Sequence, residues 1–176
     1  AGFTHWAKLN NLKQAAKTMN FLTEHGISSY GELESKLTAV SARRDTAHAE
    51  IKRIESRSAE LALVMKHAGT YRQLKPLYDR YRKSNDKEKF LRGHESEIIL
   101  FEAAARELKR LGTVPLPTTE SMKTELANLN AEKERLLAEY KAARAEAQEY
   151  ETVKQNVDAL LTVPKEQEQQ RRHELE

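Results

Sequence analysis

Two long stretches of this chain place a seam residue alternately every three and four positions. The first runs Leu33, Leu37, Val40, Arg44, Ala47, Ile51, Ile54, Ser58, Leu61, Met65, Ala68. The second runs Met122, Leu126, Leu129, Lys133, Leu136, Tyr140, Ala143, Ala147, Tyr150, Lys154, Val157, Leu161. A helix with this spacing carries a narrow apolar stripe that another helix must cover. Neither stretch holds Pro or Gly between its ends, so each predicts one unbroken helix of about 55–65 Å at about 1.5 Å per residue. The expected fold class is all-α: an elongated antiparallel two-helix coiled coil, with a short N-terminal helix at one end and a small helical cap at the other.

The punctuation between the stripes supplies the rest of the layout. Trp6, Leu9, Leu12, Ala16, Met19 and Leu22, with Phe21 beside them, recur at helical spacing and predict a first helix within residues 1–26, with Gly26 as its left-handed cap. Ser29-Tyr30-Gly31-Glu32 has the capping-box pattern that opens the first long helix, residues 29–68. Gly69 is expected to stop it and Thr70 to cap the next helix. Residues 70–112 form the predicted helical cap, with a turn at Ser84-Asn85-Asp86 and a kink at Gly93. A core face of Ile98, Ile99, Phe101, Ala104, Ala105 and Leu108 then leads to Gly112. Val114-Pro115-Leu116-Pro117 reads as an extended linker. Thr118 or Thr119 caps the second long helix, residues 118–162. Residues 163–176 carry almost nothing to bury and are expected to be a disordered polar tail. Residues 1–162 are thus read as a single helical module. If its seam closes antiparallel, the numbers of facing residues total about 194 within a heptad. The polar seam residues Arg44, Ser58, Lys133 and Lys154 cost stability but restrict register.

Composition narrows the function classes. Charged residues make up 32% of the 176 and aromatics 6%, which suits solvated helices better than a thick core. The absence of Cys removes disulfides, thiolate metal sites and a cysteine nucleophile, and is compatible with a cytoplasmic setting. No apolar run has the length of a membrane span, so no membrane partner is expected. The six histidines never fall at i,i+3 or i,i+4, so none forms a helical metal pair. His94-Glu95 with Glu97 is the one suggestive cluster, and it reads as a helix start. There is no Gly-rich phosphate loop and no nucleophile elbow. No active site, metal or cofactor is expected. Ala1 and Leu175-Glu176 are compatible with artificial ends, and the whole chain with a piece of a larger protein.

Charge is the informative surface property. Between Lys66 and His94 nine cations face three carboxylates, a local charge of +6 in a chain of net +3, which leaves −3 elsewhere. Tyr71, Tyr78, Tyr81 and Phe90 are interleaved with those cations, and basic surface mixed with aromatics is the footprint of a nucleic-acid contact. Yet Tyr71, Leu74, Tyr78 and Tyr81 have the spacing of a packing face, so these rings read as core. The candidate nucleic-acid-binding residues are Arg72, Lys75, Arg82, Lys83 and Lys87, which flank that face and are expected to project into solvent.

Three segments carry a family resemblance. Phe3-Thr4-His5-Trp6-Ala7-Lys8-Leu9-Asn10-Asn11-Leu12-Lys13 is similar to the opening of the C-terminal helical region of relaxases from plasmids and integrative elements of Gram-positive gut bacteria. Phe90 to Leu108, centred on His94-Glu95-Ser96-Glu97-Ile98-Ile99-Leu100, resembles a second block of that family. Tyr140-Lys141-x-x-Arg144 through Asn156-Val157-Asp158-x-Leu160-Leu161 resembles a third. Such relaxases, or mobilisation proteins, nick and carry one DNA strand during conjugation. Their catalytic half is N-terminal and holds a metal-binding histidine cluster and a tyrosine nucleophile, a motif this chain lacks. The resemblance therefore implies the noncatalytic C-terminal region, a scaffold or recruitment module whose partners are transfer-machinery or relaxosome proteins, with DNA as a candidate contact at the basic tip. The alternative from another class is a structural coiled-coil spacer or dimerisation element without a specific ligand.

Overall fold

The computed structural model describes the backbone of residues 2–113 and 115–173 and the side chains of residues 10–113 and 115–162. The described residues form four helices and no strand: α1 Gly2–Glu24, α2 Tyr30–Lys83, α3 Lys87–Arg110 and α4 Thr119–His173. The fold is all-α. The chain divides into two compact units, residues 1–49 with 136–176, and residues 50–135. Each has its own apolar cluster and its own short helix, α1 in the first and α3 in the second.

The helix ends follow the local chemistry of the sequence. Gly26 and Gly112 alone among the described residues take left-handed backbone, with φ of 60° and 67°. Each closes the same cap. Ile27 N–H donates to the Leu22 carbonyl and Gly26 N–H to Thr23, as Thr113 N–H does to Leu108 and Gly112 N–H to Lys109. At the start of α2, Ser29 Oγ accepts from Glu32 N–H at 3.2 Å. The Glu32 carboxylate accepts in return from the N–H and hydroxyl of Ser28, one residue earlier than a standard box. Those bonds, the Ser28 backbone first, hold its pKa below the usual carboxylate value. Thr118 supplies the cap of α4, its Oγ1 accepting from Ser121 N–H at 3.1 Å.

Two expected boundaries are absent. Gly69 does not end the first long helix, which runs on through Thr70 and Pro76 to Lys83. Thr70 caps nothing; its hydroxyl donates back to the Lys66 carbonyl, inside the helix. A single glycine costs a helix only about 1 kcal/mol, and the flanking residues on both sides favour helix. α4 also continues past Leu161 and Pro164 to His173, through Glu, Gln, Lys and Arg residues of good helix propensity. The side chains on which the expected polar tail rests, residues 163–176, lie outside those described.

In the first unit α2 and α4 run antiparallel. Tyr30 meets Asp158, Lys154 approaches Glu34, Arg43 pairs with Glu146, and His48 stacks on Tyr140. Partner numbers total 188 for Tyr30–Asp158, Glu34–Lys154 and His48–Tyr140, less than one heptad from the expected register. Leu33, Val40, Ala147, Tyr150 and Val153 form the core, with Phe21, Leu22, Ile27, Leu37 and Val157 packed against it. Leu161 lies outside it and is exposed.

α1 is turned relative to expectation. Leu12 and Met19, assigned to its core face, are 68% and 59% exposed, whereas Thr18 is 2% exposed. Phe21 and Leu22 do reach the core, Phe21 edge-on to Tyr150 at 5.1 Å, but nearer the start of α1 the described contact with α4 is polar. Gln14 Nε2 donates to Asn156 Oδ1 at 2.7 Å, Asn156 Nδ2 donates to Thr18 Oγ1 at 3.1 Å, and Thr18 Oγ1 donates to the Gln14 carbonyl at 2.9 Å. This closed ring satisfies the buried Thr18 hydroxyl. Trp6 and Leu9 fall among the residues whose side chains are not described.

The second unit repeats the antiparallel pairing through Lys133–Glu55 at 2.9 Å and Arg57–Glu125 at 2.7 Å. Its core is Leu61, Val64, Ala68, Leu108 and Met122, with Leu126 and Leu129 against them. Val64 lies outside the 4-3 stripe and is buried because α3 widens the covered face. Three of the four polar seam residues reach a carboxylate: Arg44 to Asp45, Lys133 to Glu55, and Lys154 to Asp158. Ser58 Oγ is buried without a hydrogen-bond partner.

Candidate nucleic-acid interface

The C-terminal turns of α2 and the start of α3, as far as Arg92, form the region where the cations concentrate. α3 starts on Asp86, whose carboxylate accepts from Lys89 N–H at 3.0 Å. Ser84 Oγ donates to the Asp86 carbonyl, so the three-residue turn is held from both sides. Seven residues later α3 kinks. His94 takes φ −142° and ψ 24°, and Gly93 precedes it as expected. Glu97 sits three residues on, where a carboxylate reaches back to a helix start. Its pKa is lowered by its own backbone N–H and then by His94 Nδ1, 3.5 Å away. The suggestive histidine cluster is thus a second helix start within α3.

Between α2 and α3 the rings pack on each other. Tyr71 and Tyr78 both stack on Phe101, with centroids 4.8 and 4.2 Å away. Tyr78 lies 5.9 Å from Tyr81, Tyr81 lies 6.1 Å from Phe90, and Phe90 lies 4.9 Å from His94. Phe101 is buried and the other five residues are half-buried. The expectation that these rings are packing residues holds.

The five candidate cations separate into two groups. Arg72 is committed to the linker: Nη1 donates to Thr119 Oγ1 at 2.7 Å and Nη2 to the Pro117 carbonyl. It ties α2 to the start of α4, a contact 47 residues away in sequence that local pattern does not reveal. Lys75 pairs with Asp79 one turn on, at 3.0 Å, and that hydrogen bond raises its pKa. Arg82, Lys83 and Lys87 are exposed and have no carboxylate partner among the described residues. They bracket the turn, together with Arg80, Lys89 and Arg92, which share that exposure. The sequence shows those last three as part of the basic run; only their burial state adds them to the solvent-facing set. Asp79 is paired with Lys75 and Asp86 caps α3 through Lys89 N–H; within residues 80–92 six cations stand against the two carboxylates Asp86 and Glu88.

The first unit carries a groove of about 810 Å³ between α1 and α4. Lys13, Lys17, Phe21, Gln148, Glu149 and Asn156 are among its lining residues. It presents one carboxylate and no nucleophile–base pair. Among the described residues no three His, Cys, Asp or Glu are grouped to hold a metal ion, and no helix is long and apolar enough to cross a membrane. The chain matches no protein-family model, no curated protein sequence and no solved structure.

Proposed function

We propose that this chain is a noncatalytic recruitment module of a conjugative DNA relaxase, which engages transfer-machinery proteins and touches DNA through the α2–α3 turn. The relaxase assignment rests on the His5-Trp6-Ala7-Lys8 and His94-to-Leu100 resemblances. The DNA contact rests on one observation: Arg82, Lys83 and Lys87 face solvent at a single turn, where the six cations of residues 80–92 outnumber the two carboxylates Asp86 and Glu88. Cations so placed exchange condensed counterions for phosphate, which gives affinity that falls with salt. The module works in this reading in the cytoplasm, beside the nicking domain, and contributes position rather than chemistry.

Titration of a labelled single-stranded oligonucleotide at two salt concentrations tests the reading. The wild-type chain is expected to bind at low salt and weaken steeply as salt rises. The triple variant Arg82→Ala, Lys83→Ala, Lys87→Ala is expected to bind more weakly, with a salt slope flatter by about 2–3. Sequence preference should stay unchanged, since phosphates carry no base information. Absence of wild-type binding at low salt defeats the DNA contact and leaves a protein-recruiting scaffold or a plain spacer.

A further inference from the structure

We infer that the α2–α3 turn recognises the phosphate backbone alone, so that it takes single strands, duplexes and base-free polyphosphate chains alike. This inference rests on the proposed DNA contact and specifies its ligand class. Proteins that hold single strands generally do so with two devices, a cationic track for the backbone and open aromatic faces on which bases stack. The turn has the first device. Arg80, Arg82, Lys83, Lys87, Lys89 and Arg92 are all exposed, and none is paired to a carboxylate among the described residues.

The second device is committed to packing. Every ring beside those cations already has an aromatic neighbour. Phe101 receives both Tyr71 and Tyr78 at an interplanar angle of 23°. Tyr81 is flanked by Tyr78 and Phe90, and Phe90 by His94. The Tyr78 hydroxyl is turned towards Glu102, 3.5 Å away. The Tyr71–Phe101, Tyr78–Phe101 and Tyr81–Phe90 contacts join α3 to α2, so a base stacking on Phe101 or Tyr78 would have to displace a ring already there. The turn offers a single exposed amide side chain, Asn85, which is too little to read a run of bases. Of its polar residues, Ser84 is bonded to the Asp86 carbonyl and Asp86 to Lys89 N–H. What remains available besides Asn85 is a set of point charges and guanidinium forks, which suit phosphate oxygens.

The experiment compares four probes on the wild-type chain at one low salt concentration: a mixed-sequence single strand, an abasic strand of equal length, a duplex, and inorganic polyphosphate as competitor. The abasic strand is expected to bind within about threefold of the base-bearing one, with the same salt slope. Duplex should bind at least as tightly as the single strand because its phosphates are denser, and polyphosphate should displace both. An abasic strand that binds more than about tenfold weaker overturns the inference, since that is the scale of a lost stacking contact. Failure of polyphosphate to compete overturns it as well. Binding by no nucleic acid at all is a different result: it removes the proposed DNA contact itself, and this inference with it. As an independent check, Tyr81→Leu should leave single-strand affinity within about twofold. A tenfold loss with unchanged far-ultraviolet circular dichroism would show that the ring does touch bases.

Discussion

The orientation of α1 offers a test in which sequence periodicity and structure predict opposite results. Periodicity puts Leu12 in the core; the structure leaves it 68% exposed and buries Thr18 instead. Complete burial of a leucine side chain is worth about 1.5–3 kcal/mol. With about a third of its surface covered, Leu12→Ala should cost no more than about 0.5–1 kcal/mol. Thr18→Val keeps the volume but removes the hydroxyl that accepts from Asn156 and donates to the Gln14 carbonyl. Asn156 is itself only half-buried, and water can replace part of the lost bond. The expected cost is therefore about 1–2 kcal/mol, within the range for orphaning a polar partner. Urea unfolding followed by circular dichroism, with the m-value unchanged, gives both numbers. If Leu12→Ala costs more than about 2 kcal/mol while Thr18→Val is neutral, α1 packs through its apolar stripe and the polar ring is not its anchor.

Three further outcomes follow from the same contacts. Ile54 is 1% exposed, so Ile54→Ala should lower stability by about 2–4 kcal/mol. Glu132→Ala, which loses only an exposed pairing with Arg135, should be nearly neutral in the same denaturant titration. Gly69 is helical, and a Cβ built there meets nothing within 4 Å, so Gly69→Ala should raise stability by about 0.5–1 kcal/mol. Gly26→Ala should lower it by about 1 kcal/mol or more because of the positive φ. Thermal melts distinguish the signs. Asp158 is held below its usual pKa by Tyr30 Oη, 2.6 Å away, and then by Lys154. A depressed folded pKa contributes stability above the unfolded value of about 4, and that contribution is lost as pH falls through the folded value. Asp158→Asn should thus flatten the loss of stability below about pH 4; an unchanged acid profile would show that this carboxylate gains nothing from folding.

The seams were legible because their chemistry is periodic. Leu33, Val40, Ala47, Ile51, Ile54, Leu61 and Ala68 are all buried, and a 4-3 stripe needs no knowledge of its partner to be recognised. Caps at Ser29, Gly26 and Gly112 were legible for a similar reason, since a few adjacent residues decide them. The stripe of α1 packs at Phe21 and Leu22 but not at Leu12 and Met19, because a stripe announces what is apolar, not what it meets. The bonds of Thr18 and Gln14 to Asn156 link residues 138 and 142 positions apart. Gly69 is no stop because helix propensity is a small local cost, which the packing of α2 at Ala68 and Val64 outweighs. In the candidate interface, the turn at residues 84–86 and the packing role of the tyrosines followed from spacing. The engagement of Arg72 with Pro117 and Thr119 did not, because nothing in the run Tyr71–Lys75 indicates which loop returns to it.

The proposed function depends most on where nucleic acid touches the chain. Backbone amide chemical shifts, followed by NMR while a single-stranded oligonucleotide is added at low salt, locate that contact directly. The proposed function predicts perturbations concentrated between Arg80 and Arg92, with the amides of α1 and of residues 136–162 unmoved. Shifts confined to the Lys13–Lys17 side of the α1–α4 groove, or none at saturating oligonucleotide, would contradict it.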